Sequence, residues 1–198
     1  MLKIRDVNFI KSCSSAAQFP RRQFPEFAFI GRSNVGKSSL INMLMRKKDL
    51  VKTGSKPGVT RTINFFTLNG ELSLADLPGF GYAKIPHTIR KTFMPLIRNY
   101  LLKRDELRLV FLLVDIRRVP DRYEQDLLAL ITGNRTAVAV VLTKCDKVSR
   151  GVRARNARII GEALGVDHDA LFLTSARTGD GRRDLMRLIE EYSIIGNG

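Results

Sequence analysis

Residues 26–45 read EFAFIGRSNVGKSSLINMLM. The first six are short, apolar and aromatic and end in glycine, which predicts a buried strand. The last nine place Leu40, Ile41, Leu44 and Met45 at helical spacing. Between them, GRSNVGKSS (31–39) matches GxxxxGK[ST] in the strand–loop–helix context that its chemistry needs. Gly31 and Gly36 let the backbone curl so that successive N–H groups point at phosphate oxygens. The cradle so formed runs through Arg32, Ser33, Asn34 and Val35 to Ser39. Lys37 reaches the outer phosphates as a point charge, and the Ser38 hydroxyl binds a magnesium ion.

Working outward, strand-like and helical stretches alternate. INFFTLNGELSLAD (63–76) is two strands joined by Asn69-Gly70, a strong hairpin signal. LRLVFLLVD (107–115) and TAVAVVLT (136–143) are near-continuous apolar runs, as in strands buried on both faces. Helices are expected over 87–103, with a kink or break at Pro95, from Pro120 onward, and over about 150–164 and 182–192; a strand fits 170–175. The order predicts an α/β fold of the P-loop NTPase kind, a three-layer αβα sandwich. Its sheet is mostly parallel, with one antiparallel edge strand from the hairpin. Loops at the strands' C-terminal ends should converge on one rim, where ligands bind. The expected organisation is an N-terminal extension, 1–24, packed on a single domain, 25–198.

Composition narrows the class. Lys and Arg total 34 against 19 acids, a net charge of +15, and residues 1–60 hold 12 bases against 3 acids. Such a surface attracts polyanions, nucleic acid most simply. The basic runs are scattered, which suits docking on a large folded anion such as RNA. Cys13 and Cys145 lack metal-ligand spacing and are expected to be reduced thiols of a cytoplasmic protein. No apolar run reaches the roughly 20 residues of a membrane span.

Three further loops carry chemistry. KPGVTRT (56–62) lies where a switch loop would reach back to the γ-phosphate: Gly58, Val59, Thr60, Arg61 and Thr62 line the nucleotide, and Thr60 lends its hydroxyl to the magnesium. DLPGFGYAK (76–84) follows, with Asp76 placed to hold a magnesium-bound water, Leu77 and Pro78 continuing the loop, and the Gly79 N–H meeting the γ-phosphate. The third, LTKCD (142–146), selects the base, because Asp146 can accept from guanine N1–H and the 2-amino group, whereas adenine offers it a lone pair. Thr143, Lys144 and Cys145 complete this segment, with the Lys144 stem along the base face. TSAR (174–177) adds Ser175, Ala176 and Arg177, the Ala176 N–H facing the guanine oxygen. A water-positioning glutamine commonly follows the glycine of the second loop; Phe80 stands there instead, so hydrolysis should be slow and partner-accelerated. Lys37, Thr60 and Asn34 are the groups expected to take part in it.

GRSNVGKSSLIN, KPGVTRTINFF, DLPGFGYAK, LLVDIRRVP and LTKCDK, in this order, resemble the EngB (YihA/YsxC) family of bacterial P-loop GTPases over nearly the whole chain. The resemblance implies GTP and GDP binding with magnesium at Ser38 and Thr60, and a cytoplasmic location. It also implies a role in assembling the large ribosomal subunit, with a requirement in normal cell division and septation. Ribosomal RNA or pre-50S particles would be the partners of a monomer. Related GTPases with an apolar residue at the Phe80 place use an asparagine in the phosphate loop to hold potassium, and Asn34 stands there. Thr143 departs from the general GTPase pattern, which favours asparagine. The alternative is a GTP-regulated protein-binding module of the division machinery without direct RNA contact.

Overall fold

Apolar runs of strand length with no polar alternation suit strands covered on both faces, and that is how the chain folds. The computed structural model describes residues 2–21, 24–51, 62–81, 87–134 and 136–194. The strands are β1 (Val7–Cys13), β2 (Glu26–Gly31), β3 (Ile63–Leu68), β4 (Leu72–Asp76), β5 (Leu107–Asp115), β6 (Ala137–Thr143) and β7 (Leu171–Leu173). The helices are α1 (Lys37–Met45), α2 (His87–Lys103), α3 (Arg122–Gly133), α4 (Arg150–Leu164) and α5 (Arg182–Ile194). One sheet has the order β1–β3–β4–β2–β5–β6–β7. Neighbours from β4 to β7 are parallel, and β3 runs antiparallel to both β1 and β4.

This is the expected αβα sandwich with one correction. The antiparallel hairpin strand β3 is not at the edge, because residues 7–13 form a strand that covers it. Only the end residues Val7 and Cys13 of that strand are buried, so it carries no alternating pattern to betray it. Its partner holds it through the hairpin turn. Asn69 and Gly70 take positive φ values of 53° and 69°, and the Asn69 amide oxygen accepts from the N–H of Arg5 (2.8 Å) and Asp6 (3.1 Å). α2 runs on through Pro95, and β7 is shorter than expected because the chain turns away after Leu173 into a loop closed by Ser175 N–H to the Asp180 carbonyl (3.2 Å).

Along β5, Val110, Leu112 and Val114 face α2, α3 and α4, while Leu109, Phe111 and Leu113 face α1 and α5. The period of two thus feeds two cores from one strand. α5 also clasps the far end of α1: Arg182 Nε donates to the Met43 and Leu44 carbonyls (3.2 and 3.1 Å) and Nη2 to Leu44 (2.7 Å). Carbonyls at a helix C-terminus lack intrahelical donors, and a cation there also meets the negative end of the dipole.

A buried polar cluster fixes the start of β2. Glu26 is fully buried and accepts from Tyr100 Oη (2.8 Å), Arg104 Nε (2.8 Å) and Arg104 Nη2 (3.0 Å). Arg104 also donates to the Pro20 carbonyl (3.0 Å) and lies 5.6 Å from the centre of the Phe65 ring. Burial, and next the Glu26 charge, push the Tyr100 phenol well above its usual range. Glu26→Ala strands a guanidinium and a phenol without their acceptor. The expected cost is roughly 3–5 kcal/mol of unfolding free energy, read by urea denaturation.

Candidate functional site at the carboxyl rim of the sheet

β2 ends where a side chain cannot follow. A Cβ at Gly31 would lie 2.8 Å from the Leu113 carbonyl oxygen and 2.9 Å from its Cβ. The chain then leaves the sheet through Asn34 (φ 63°) and Gly36 (φ 106°), both left-handed, and enters α1 with the Leu40 N–H bonded to the Gly36 carbonyl (2.9 Å). No side chain caps this helix. Its first amides therefore point at the loop, the arrangement that favours an anion. Val35 is buried in the core, while Asn34 and Ser39 are exposed.

The second loop is zipped onto the first. Ser33 N–H donates to the Phe80 carbonyl (2.8 Å) and Phe80 N–H to the Gly31 carbonyl (3.2 Å). A Cβ on Gly79 would come within 3.2 Å of Ser33 Cα and Oγ, so only glycine packs there without displacing the loop. Asp76, buried at the end of β4, pairs directly with the Lys37 ammonium, and Asn64 Nδ2 reaches its other oxygen at 3.4 Å. Leu77 is buried in the core. The Arg32 guanidinium turns outward to Asp121, the N-cap of α3, and donates to the Gly81 carbonyl (3.0 Å). Thr62 Oγ1 lies 3.4 Å from Asn64 Oδ1. Gly58, Val59, Thr60 and Arg61 lie outside the described residues.

The loops after β6 and β7 meet next to this cradle. Thr174 N–H donates to the Leu142 carbonyl (2.8 Å) and Cys145 N–H to the Thr174 carbonyl (3.0 Å), which sets the two segments side by side. Asp146 then accepts from Ser175 Oγ (2.7 Å) and Arg177 Nε (2.9 Å). The Ser175 hydrogen bond, with that of Arg177, holds its carboxyl below the usual range. Cys145 turns its thiol into the core toward the Leu142 carbonyl (3.2 Å), where burial pushes it up, so only its backbone faces the rim. It and Cys13 are free thiols.

Thr143 and Lys144 tie this half to the phosphate cradle. The Thr143 hydroxyl donates to the Val35 carbonyl (2.7 Å) and lies 3.3 Å from that of Val114. Lys144, itself at φ 61°, extends over Gly36 to donate to the Asn34 carbonyl (2.6 Å). Asp115, which ends β5, steadies that ammonium at 3.0 Å and is gripped by Arg117 Nε (2.9 Å) and Nη2 (2.7 Å). Burial works to raise its pKa, but hydrogen bonds from Arg117 and Lys144 win and hold the carboxyl well below the carboxylate range. Sequence reasoning assigned Asp115 no task, although an acid ending a central strand of this sheet is the available signal. It likewise passed over the Arg32–Asp121 pair, whose partners stand 89 positions apart.

A glycine-bent phosphate loop at a helix N-terminus, with two side loops braced against it, defines a P-loop GTPase domain. Residues 26–144 match the family model described as 50S ribosome-binding GTPase. A relative from Geotalea daltonii named probable GTP-binding protein EngB is 47% identical over 188 residues, covering 95% of this chain and 91% of its own. One of the same name from Desulforapulum autotrophicum is 48% identical over 187 residues, covering 94% and 96%. A crystal structure of a probable GTP-binding protein engB superposes with TM-score 0.72 at 26% identity, covering 84% of this chain and 97% of that one. The chain belongs to the EngB family of GTP-binding proteins and is a GTPase that binds GTP and GDP.

Lys37→Ala should abolish GDP binding in calorimetry, while the fold, read by circular dichroism, persists. Asp146→Asn should weaken GDP by roughly 100-fold or more and gain affinity for xanthosine diphosphate, because an amide can donate where the carboxylate only accepts. Unchanged guanine preference in that variant would remove Asp146 from the base pocket.

Proposed function

We propose that this GTPase is a slow, partner-accelerated switch that assists assembly of the large ribosomal subunit in the cytoplasm. The single observation that carries the slow rate is the placement of Phe80. Its side chain is buried and, with buried Ile30, Ile97 and Leu127 and exposed Met94, lines a cavity of about 50 Å³, and its backbone is committed to Gly31 and Ser33. It offers no amide to hold an attacking water, so intrinsic turnover falls in or below the roughly 10⁻⁴–10⁻² per second of unassisted switches, and a partner can raise it by about 10³–10⁵.

The ribosomal destination is supported by the description of the matching family model and by a net charge of +15. A need in cell division and septation follows if ribosome supply limits division. Among the described residues no helix is long and apolar enough to cross a membrane.

Magnesium fits the donors. Ser38 makes no side-chain hydrogen bond to a described residue, and Asp76 presents a buried carboxylate at the strand end. Both are hard oxygen donors, the kind magnesium takes beside phosphates, and few protein ligands are needed. When bound, the ion would supply charge neutralisation between the outer phosphates. Thr60 is the third proposed ligand. Lys37 would hold the outer phosphates, and the amides of residues 31–39 and 79 would orient the chain of phosphates. Exposed Asn34, at its left-handed position, can turn its amide oxygen toward a potassium ion beside them.

Co-sedimentation with purified large-subunit particles tests the reading. Binding should be stronger with a non-hydrolysable GTP analogue than with GDP and fall steeply as salt rises several-fold from a low starting concentration. Turnover in potassium should exceed that in sodium several-fold; equal rates would remove the role given to Asn34.

A further inference from the structure

We propose that the outer face of α4 is an RNA-docking surface that grips the phosphate backbone. α4 follows directly on the base-pocket loop and buries Ala157, Ile160, Gly161 and Leu164. Its opposite face shows Arg150, Gly151, Ala154, Arg155 and Arg158, all exposed. Arg150 and Arg155 make no side-chain contact with a described charged or polar group. Arg158 has only a loose partner, Glu162 at 3.5 Å, with both side chains largely in solvent.

Folding gives no reason for this face. The first turn of α4 holds no acid, so its arginines oppose the helix dipole instead of complementing it. Gly151 weakens the helix, and a Cβ there would meet nothing within 4 Å. Gly161 differs: a Cβ would press on the Val166 carbonyl at 3.1 Å, so packing explains it. What Gly151 and Ala154 do provide is a shallow track between arginines, along which a sugar-phosphate ridge can approach the helix backbone. Guanidinium forks suit phosphate oxygens.

A protein partner fits less well, since interfaces are anchored by buried aromatic or large aliphatic groups and this face has none. The same lack removes a membrane surface. The choice of RNA among nucleic acids rests on the ribosomal reading above.

The test is fluorescence anisotropy of GDP-loaded full chain with a labelled RNA duplex of about two helical turns, over a several-fold range of KCl concentration. Arg150→Gln/Arg155→Gln/Arg158→Gln should weaken binding at least 10-fold and lower the slope of log affinity against log salt by about 2–3, near one for each phosphate no longer gripped. A control that removes equal charge elsewhere, Arg122→Gln/Arg183→Gln/Arg187→Gln, should change affinity less than two-fold. Gly151→Leu should weaken binding with the slope intact, and all three variants should keep wild-type GDP affinity and helix content. Equal weakening in both triple variants would reduce the surface to general charge and overturn the proposal, as would tighter binding of poly-glutamate than of the duplex. The two readings separate on large-subunit particles. If the α4 variant binds them as the parent does, the α4 surface falls and the ribosomal reading stands. If the parent ignores particles in every nucleotide state while duplex binding keeps its dependence on α4, the ribosomal reading falls and the surface stands.

Discussion

At Gly31 a strand runs out of room. The carbonyl of Leu113 occupies the place where any side chain would begin, so β2 presses against β5 and the chain must leave the sheet as bare backbone. From that constraint the rest follows in order. The loop bends through two left-handed residues, α1 starts without a side-chain cap, and its amides face the rim. Residues 76–81 dock on this backbone through main-chain bonds, which depend little on side-chain identity.

Polar side chains couple the loop that follows β2 to the segment that ends β6. Lys144 reaches back to the Asn34 carbonyl and is itself held by Asp115, whose second hold is Arg117. A threonine at 143 is then no weakness. Its hydroxyl ties the Val35 carbonyl of the phosphate loop to the end of β6, a task that needs one donor and a short side chain.

Much of this was legible in the sequence because the decisive signals are local. The turn at Asn69-Gly70, the glycine pattern at 31–36 and the unbroken apolar strands each state their geometry within a few residues. What stayed hidden is long-range. β1 exists because β3 needs a neighbour, and five of its seven residues are exposed, so no periodicity announces it. Asp115, Arg32 and the Glu26–Arg104–Tyr100 cluster acquire meaning only when the strands and helices that carry their partners meet, in two of these cases across more than 70 positions. Charge could be counted but not placed: a helix over 150–164 was legible, but only the structure shows which of its faces is buried and which arginines are left outside.

The bond from Arg182 to the end of α1 spans 138 residues. α1, which opens from the phosphate loop without a side-chain cap, has its Leu44 carbonyl held by a residue translated much later. During synthesis, therefore, the phosphate loop waits on a helix made 138 residues after the carbonyl it holds. A nascent chain lacking α5 has the phosphate loop in sequence yet leaves the other end of its helix untethered and part of one core uncovered. Competence to hold a nucleotide should thus arrive only once α5 has been made, instead of growing as the chain emerges.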